Sequence, residues 1–262
     1  MIDPPVIAEA AAGIVARRRN AAWVGRRILV SAGPTRTYID PVRFIANAST
    51  GTMGFALAAA AARLGAEVTL VAGPVDRPTP LGVERVDVET AGAMHLALAE
   101  RLDRGDVDLV AMVAAVGDLA LAGAPQKLAK AELLARLAGL EWRVGVDILA
   151  TLVAAYPDVR FLGFAAQTVE DGDVEAELLR LGEAKLAAKG ADAIFVNRVG
   201  VPGVGFASST NAGALILSER IAGDRSRVFP SGPPIAKPAL ARWILDRLGE
   251  HLWAEAGEGR GA

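Results

Sequence analysis

An α/β fold, a doubly wound and mostly parallel sheet with helices on both faces, follows from three features of the sequence. From residue 27 onward, apolar β-branched runs alternate with Ala- and Leu-rich stretches at helical spacing, the pattern of repeated βαβ units. One run, VDLVAMVAA at 107–115, is apolar at nearly every position, as expected of a strand buried on both faces. The runs end in small, glycine-containing or polar residues: Gly33–Thr35, Ala72–Pro74, Ala114–Asp118, Phe164–Thr168 and Asn197. Ligands of such Rossmann-like sheets bind beyond these carboxyl ends, where small residues let the backbone approach closely.

Taken in order, residues 1–25 read as an N-terminal helical linker. Asp3-Pro4-Pro5 is a helix-start signal, Ile7, Ala11, Ile14 and Val15 fall at helical spacing, and Arg17-Arg18-Arg19 forms a solvated end. Strands are predicted at 27–32, 67–72, 83–88, 107–115, 160–165, 191–197 and 213–217. Helices are predicted at 53–64, 91–104, 147–155, 174–189 and 237–253. Residues 117–146 read as irregular, 199–230 as a hairpin-like excursion, and 254–262 as a disordered tail. The 262 residues thus form a single domain spanning 26–253, long enough for a full core.

The chain is organised around residues 28–55. Ile28-Leu29-Val30 leads into the turn-prone Ser31 to Thr35, a polar loop follows, and Gly51-Thr52-Met53-Gly54 opens an Ala-rich helix. Strand, hydroxyl- and glycine-rich loop, then helix is how an α/β sheet builds an anion site, because the helix start points unpaired N–H groups at a ligand. The words match neither GxGxxG nor GxxxxGK[ST], so this reading alone stops at an anion or nucleotide site.

Composition removes several classes of chemistry. The chain has no cysteine, which excludes disulfides, thiolate metal sites and a cysteine nucleophile, and only two histidines, His95 and His251, both in helical segments. A formal charge of −2 argues against nucleic-acid binding. No apolar run reaches membrane-spanning length and no secretory signal is read, so cytoplasmic is the default location.

The stretch from Ala32 to Pro74, AGPTRTYIDPVRFIANASTGTMGFALAAAAARLGAEVTLVAGP, resembles the signature of phosphopantothenoylcysteine synthetase, with weaker echoes to about residue 217. That family is the second half of the bifunctional coenzyme A biosynthesis flavoprotein, and its pattern reads approximately AGPTRE-IDPVRFISN-SSGKMG with a later VSGP. The resemblance implies a ligase that joins 4′-phosphopantothenate to cysteine, using CTP with Mg²⁺ through an acyl-cytidylate. It also implies a homodimer, and fusion to or association with a flavin-dependent decarboxylase. Whether this chain is stand-alone or cut from such a fusion is left open.

Site residues follow position by position. Asn47, in FIAN-STG, reads alone more readily as a turn residue than as a ligand; the resemblance reverses this and makes it the binder of the activated acyl group, through an amide that donates without titrating. Ser49, Thr50 and Gly51 offer hydroxyls and N–H groups to phosphate, which a helix-start reading also allows. Asp118, in AAVGDL, is either a loop carboxylate or the acceptor for the cytosine amine, as the family's AAVADYR implies. Gly33, Gly73 and Ala115 would line the nucleotide, and Ala114 and Arg43 the substrate, with Arg43 near a site shared between two chains. By the same resemblance Lys127 matches the lysine that contacts the triphosphate and supports activation, Phe164 in GFAAQT, which alone reads as a core residue, would lie near the base, and Lys185 and Lys189 would reach the phosphates. Spacing alone would make the last two a solvated helix face. Metal ligands are not identified.

The sequence departs from the family pattern at several places: Thr52 for Lys, Leu119 and Ala120 for Tyr and Arg, Gln167 for Glu, Arg198 for Asp and Ser209 for Asp. Val144 to Asp147 stands where KNPD is usual. These losses keep a second reading in view, a degenerate nucleotide-binding paralogue without turnover. A third, an NAD(P)-dependent oxidoreductase, lacks the glycine fingerprint and a Tyr–Lys pair, since neither Tyr38 nor Tyr156 has a lysine four residues on.

Overall fold

The computed structural model describes residues 21–139, 141–170, 172–201, 205 and 208–253. The expected linker up to residue 20 and the expected tail 254–262 lie outside the described residues. In chain order, β1 (Arg27–Ala32) is followed by β2 (Arg36–Tyr38), β3 (Phe44–Ala46), α1 (Thr52–Leu64), β4 (Glu67–Ala72), β5 (Val83–Asp87) and α2 (Ala91–Leu102). Then come β6 (Leu109–Met112), β7 (Leu119–Ala120), α3 (Lys130–Ala138), β8 (Arg143–Val144), α4 (Ile148–Ala155), β9 (Arg160–Gln167) and α5 (Val174–Lys189). The remainder is β10 (Ala193–Arg198), β11 (Thr210–Asn211), β12 (Gly213–Leu217), α6 (Glu219–Ala222), β13 (Val228–Pro230), β14 (Ile235–Ala236) and α7 (Lys237–Leu252).

Eight strands form the central sheet in the order β13-β12-β10-β9-β6-β1-β4-β5. Every pair from β5 to β10 is parallel, and β12 and β13 complete the edge antiparallel. The order reverses between β1 and β6, which makes that junction the topological switch point. Successive β1 residues face opposite sides: Ile28 and Val30 enter one apolar cluster and Leu29 the other. The first cluster is covered by α1 and α7, which pack against each other and bury Leu57, Ala61, Ile244 and Leu248. The second lies under α2, α4 and α5 through Leu98, Leu152 and Leu186. The alanines of α1 have little side chain to hold the helix away from the sheet, which explains why an Ala-rich stretch became a core helix.

Three sequence expectations need correction. The strand expected at 107–115 ends at Met112 because the buried Ser31 hydroxyl accepts from both Val113 N and Ala114 N at 3.1 Å. Those two N–H groups turn to a side chain, which interrupts the ladder before a single parallel bridge joins Pro34 to Ala115. The polar loop after residue 35 is a two-stranded hairpin, β2 against β3, fixed at its turn by Asp40. Residues 117–146, expected to be irregular, contain α3 and the short antiparallel pair β7–β8. The hairpin-like excursion after 199 is partly recovered, since β12 and β13 pair antiparallel at the sheet edge.

Large apolar side chains left exposed are concentrated on these two projections. Val42, Phe44 and Ile45 stand out from the hairpin, and Leu119, Leu134, Leu137, Trp142, Val144 and Val146 from the 117–146 segment. No described helix is long and apolar enough to cross a membrane.

Candidate active site

A cavity of about 490 Å³ opens at the carboxyl ends of β1, β6, β9 and β10, at the switch point. One wall is the turn from Ser49 into α1. Gly51 takes φ +70° as the N-cap residue, a conformation that suits glycine, and no side chain caps the helix. The helices α2, α4 and α5 instead have their N-termini capped by Thr90, Asp147 and Asp173. The first turn of α1 therefore keeps N–H groups open toward the cavity, which Thr52, Met53 and Gly54 line.

Below this wall two loops meet without side chains between them. A Cβ at Gly73 would lie 1.8 Å from the Pro34 carbonyl oxygen, and one at Gly33 3.0 Å from the Gly73 carbonyl oxygen. Gly33 and Gly73, expected to touch nucleotide, lie outside the cavity lining; their role here is to let these two loops approach each other closely. Thr35 fixes the loop beyond β6 by accepting from Gly117 N at 2.8 Å.

Ala114 and Ala115 line the cavity as expected. Asn47 does too, but its Nδ2 donates to the carbonyls of Ala115 and Val116 at 3.2 and 3.0 Å. The donor expected to face an acyl group thus holds the wall together. Asp118 lines the rim, exposed, with its carboxylate bonded to none of the described residues. Phe164 serves both readings, since its half-buried ring lines the cavity and packs 5.3 Å from Phe195.

Lys185 and Lys189 enter from the last turns of α5. Lys189 pairs with Asp147, whose carboxylate also accepts from Ala150 N as the cap of α4. Burial alone would raise the Asp147 pKa, but the bonds from Lys189 and Ala150 and the charges of Lys189 and Lys185 hold it below the usual value. Asp147 was not singled out in the sequence as a site residue, although VGVD marked a departure there.

Arg43 and Lys127 lie outside the cavity. They sit beside one another instead, because Arg43 donates to the Leu128 carbonyl at 3.3 Å and pairs with Asp40 at 2.8 Å. Asp40 is 1% exposed. Burial would raise its pKa, yet N–H donation from Val42, Leu128 and Arg43 and the Arg43 charge outweigh that and hold it below the usual value. Lys127 itself is exposed.

Sequence reasoning missed Lys237 and read Asn197 only as the end of an apolar run; Asn211 joins them in the structure. All three are buried and line the cavity. Lys237 begins α7 and donates to the Gly205 carbonyl at 2.8 Å. Among the described residues no group of three acidic or histidine side chains could hold a metal ion.

The profile of the DNA/pantothenate metabolism flavoprotein C-terminal domain family matches residues 23–250. The chain belongs to that family. Members with similar sequences include the coenzyme A biosynthesis bifunctional protein CoaBC of Vibrio cholerae, 40% identical over 87% of this chain and 53% of the relative. CoaBC of Escherichia coli is 40% identical over 84% of this chain and 51% of its own length. The chain thus spans about half the length of the curated relatives it matches. Among solved structures, the C-terminal domain of a CoaBC superposes with a TM-score of 0.68 at 32% identity, covering 87% of this chain and 96% of that domain. A Cab2 variant in complex with phosphopantothenate-cysteine has the same fold, with a TM-score of 0.63 at 15% identity over 95% of this chain and 94% of that one. The family fold therefore extends across the sheet, and the cavity lies at its switch point.

Proposed function

We propose that this chain is a phosphopantothenate–cysteine ligase of coenzyme A biosynthesis, activating 4′-phosphopantothenate with CTP. The observation that carries the reading is the uncapped N-terminus of α1, which faces one cavity together with Asp118, Lys185 and Lys189. The names of relatives 40% identical along most of the chain support the reaction. The ligand named for the Cab2 complex is its amide product, although at that identity the likeness speaks for fold alone.

In the first step a substrate carboxylate oxygen attacks the α-phosphorus of CTP. The bond to the bridging oxygen breaks, giving the acyl-cytidylate and pyrophosphate. In the second, the cysteine amine attacks the acyl carbon and loses a proton, CMP leaves, and the amide remains. Neither step needs a protein nucleophile, which suits a chain without cysteine and a cavity without histidine. The open N–H groups of α1, with Lys185 and Lys189, neutralise phosphate charge, and Asp118 accepts from the cytosine amine. Asn47 fixes the Ala115–Val116 wall against the acyl group. Mg²⁺ would arrive on the triphosphate, held by phosphate oxygens and water, because of the two carboxylates lining the cavity Asp118 is engaged with the base and Asp147 with Lys189.

Arg43 and Lys127 serve a second copy of the chain. The exposed apolar residues of the hairpin and of 117–146 flank them and favour a homodimer with shared sites. The other expected association, with a flavin-dependent decarboxylase, is supported by the relatives' bifunctional name and double length. The deciding experiment is pyrophosphate release with 4′-phosphopantothenate and Mg²⁺, comparing CTP with ATP and omitting cysteine in one arm. CTP-dependent release and a cysteine-dependent amide by mass are expected; CTP binding without release would establish the degenerate module instead. Mixing inactive Asp118→Ala and Lys127→Ala chains should regain activity if sites are shared, and stay inactive if they are not.

A further inference from the structure

One cation stands at the start of α1 and a second lines the same cavity. Arg77, in the Pro-rich loop after β4, donates from its guanidinium to Thr52 Oγ1 at 3.1 Å, and Thr52 Oγ1 lies 2.8 Å from Thr50 Oγ1. Thr50 and Thr52 line the cavity, and so does Lys237 from the start of α7. Lys237 is 4% exposed, and its one hydrogen bond to a described residue goes to the Gly205 carbonyl. Among the described residues no carboxylate pairs with either Arg77 or Lys237, although most arginines of the chain have one.

A buried ammonium without a counter-charge is costly. Here burial depresses the Lys237 pKa and the Arg77 charge depresses it further. The uncapped N-terminus of α1 adds a third positive contribution. Within a folded chain that arrangement is unfavourable, and a bound anion would reverse its sign.

We infer that Arg77 and Lys237, with the hydroxyls of Thr50 and Thr52, form a subsite for a phosphoryl group at the mouth of α1. The ligand class rests on the proposed ligase reading, where phosphoryl groups come from two sources, the tail of the nucleotide and the phosphate ester of the second substrate. The subsite itself does not depend on turnover.

Titration calorimetry on the full chain separates these cases, using pyrophosphate, CTP, cytidine, 4′-phosphopantothenate and pantothenate as probes. Arg77→Gln is expected to weaken at least one phosphoryl ligand by about tenfold or more, while cytidine and pantothenate bind as before. Loss confined to CTP and pyrophosphate assigns the subsite to the nucleotide tail; loss confined to 4′-phosphopantothenate assigns it to the substrate phosphate. Lys237→Gln should act in the same direction, and Arg77→Gln decides alone if that variant does not fold. Because Arg77 reaches its anion beside Thr52, the double variant Arg77→Gln/Thr52→Lys should recover the lost affinity with the cation moved onto the helix. Unchanged binding of every phosphoryl ligand in Arg77→Gln would overturn the subsite, and failure of the double variant to recover would overturn its placement at Thr52. A chain that binds phosphoryl ligands through Arg77 but forms no amide would retain the subsite and lose the ligase reading.

Discussion

The central sheet and the two projections beside it are held together by different means. Around β1, β6, β9 and β10 each strand is apolar on both faces and each face is covered by helices, so position follows from burial. The hairpin β2–β3 and the 117–146 segment bury little; α3 has no fully buried residue, and β7 and β8 are exposed throughout. They are fixed by a few polar links, chiefly Asp40 to Val42, Arg43 and Leu128, and Thr37 to the Leu119 carbonyl. The contrast teaches that one part of the fold is held by its own core and the other by a few polar links that leave its apolar side chains exposed.

Substitution in the core should sharpen that contrast most. Phe195 is fully buried, so Phe195→Ala is expected to cost about 3–5 kcal/mol, seen as a lower urea midpoint with an unchanged slope. Loss of less than about 1 kcal/mol would mean that the central sheet tolerates a cavity of that size. Next comes Asp40. Its folded pKa lies below the unfolded value, so its contribution is present above about pH 4 and lost as pH falls through the folded value. Asp40→Asn should therefore be less stable than the parent at neutral pH, and urea titrations should bring the two together in acid. A gap that persists below about pH 2 would remove the carboxylate from the account. The smallest effect on the protomer is expected from Phe44→Asp, within about 0.5 kcal/mol, because the ring is already exposed. Light scattering should nonetheless show a shift toward monomer, and an unchanged mass would break the comparison.

The same division explains what could be read in advance. Strands β1, β4 and β12 and helix α5 appear where periodicity places them, because burial enforces periodicity. The hairpin was not legible, because its order comes from one side chain, Asp40, accepting from neighbours and from Leu128 far along the chain. Asn47, Asp118, Phe164 and Lys185 come together in the cavity, since they sit at ends of elements the pattern had already fixed. Lys237 gave no local signal. A lysine at the start of a C-terminal helix ordinarily faces solvent, and its burial depends on the pairing of β11 with β14, two residues long.

Ser31 sets the terms on which β1 tolerates mutation. Its neighbours Val30 and Ala32 are equally buried, and by accessibility alone the three positions look interchangeable among small aliphatics. They are not, because the Ser31 hydroxyl is the acceptor for two N–H groups just beyond the end of the strand next door. A saturation library across β1 should therefore show aliphatic exchange accepted at 30 and 32, whereas at 31 every survivor would carry a hydroxyl. Hydrophobicity scoring would rank that position last among those to protect.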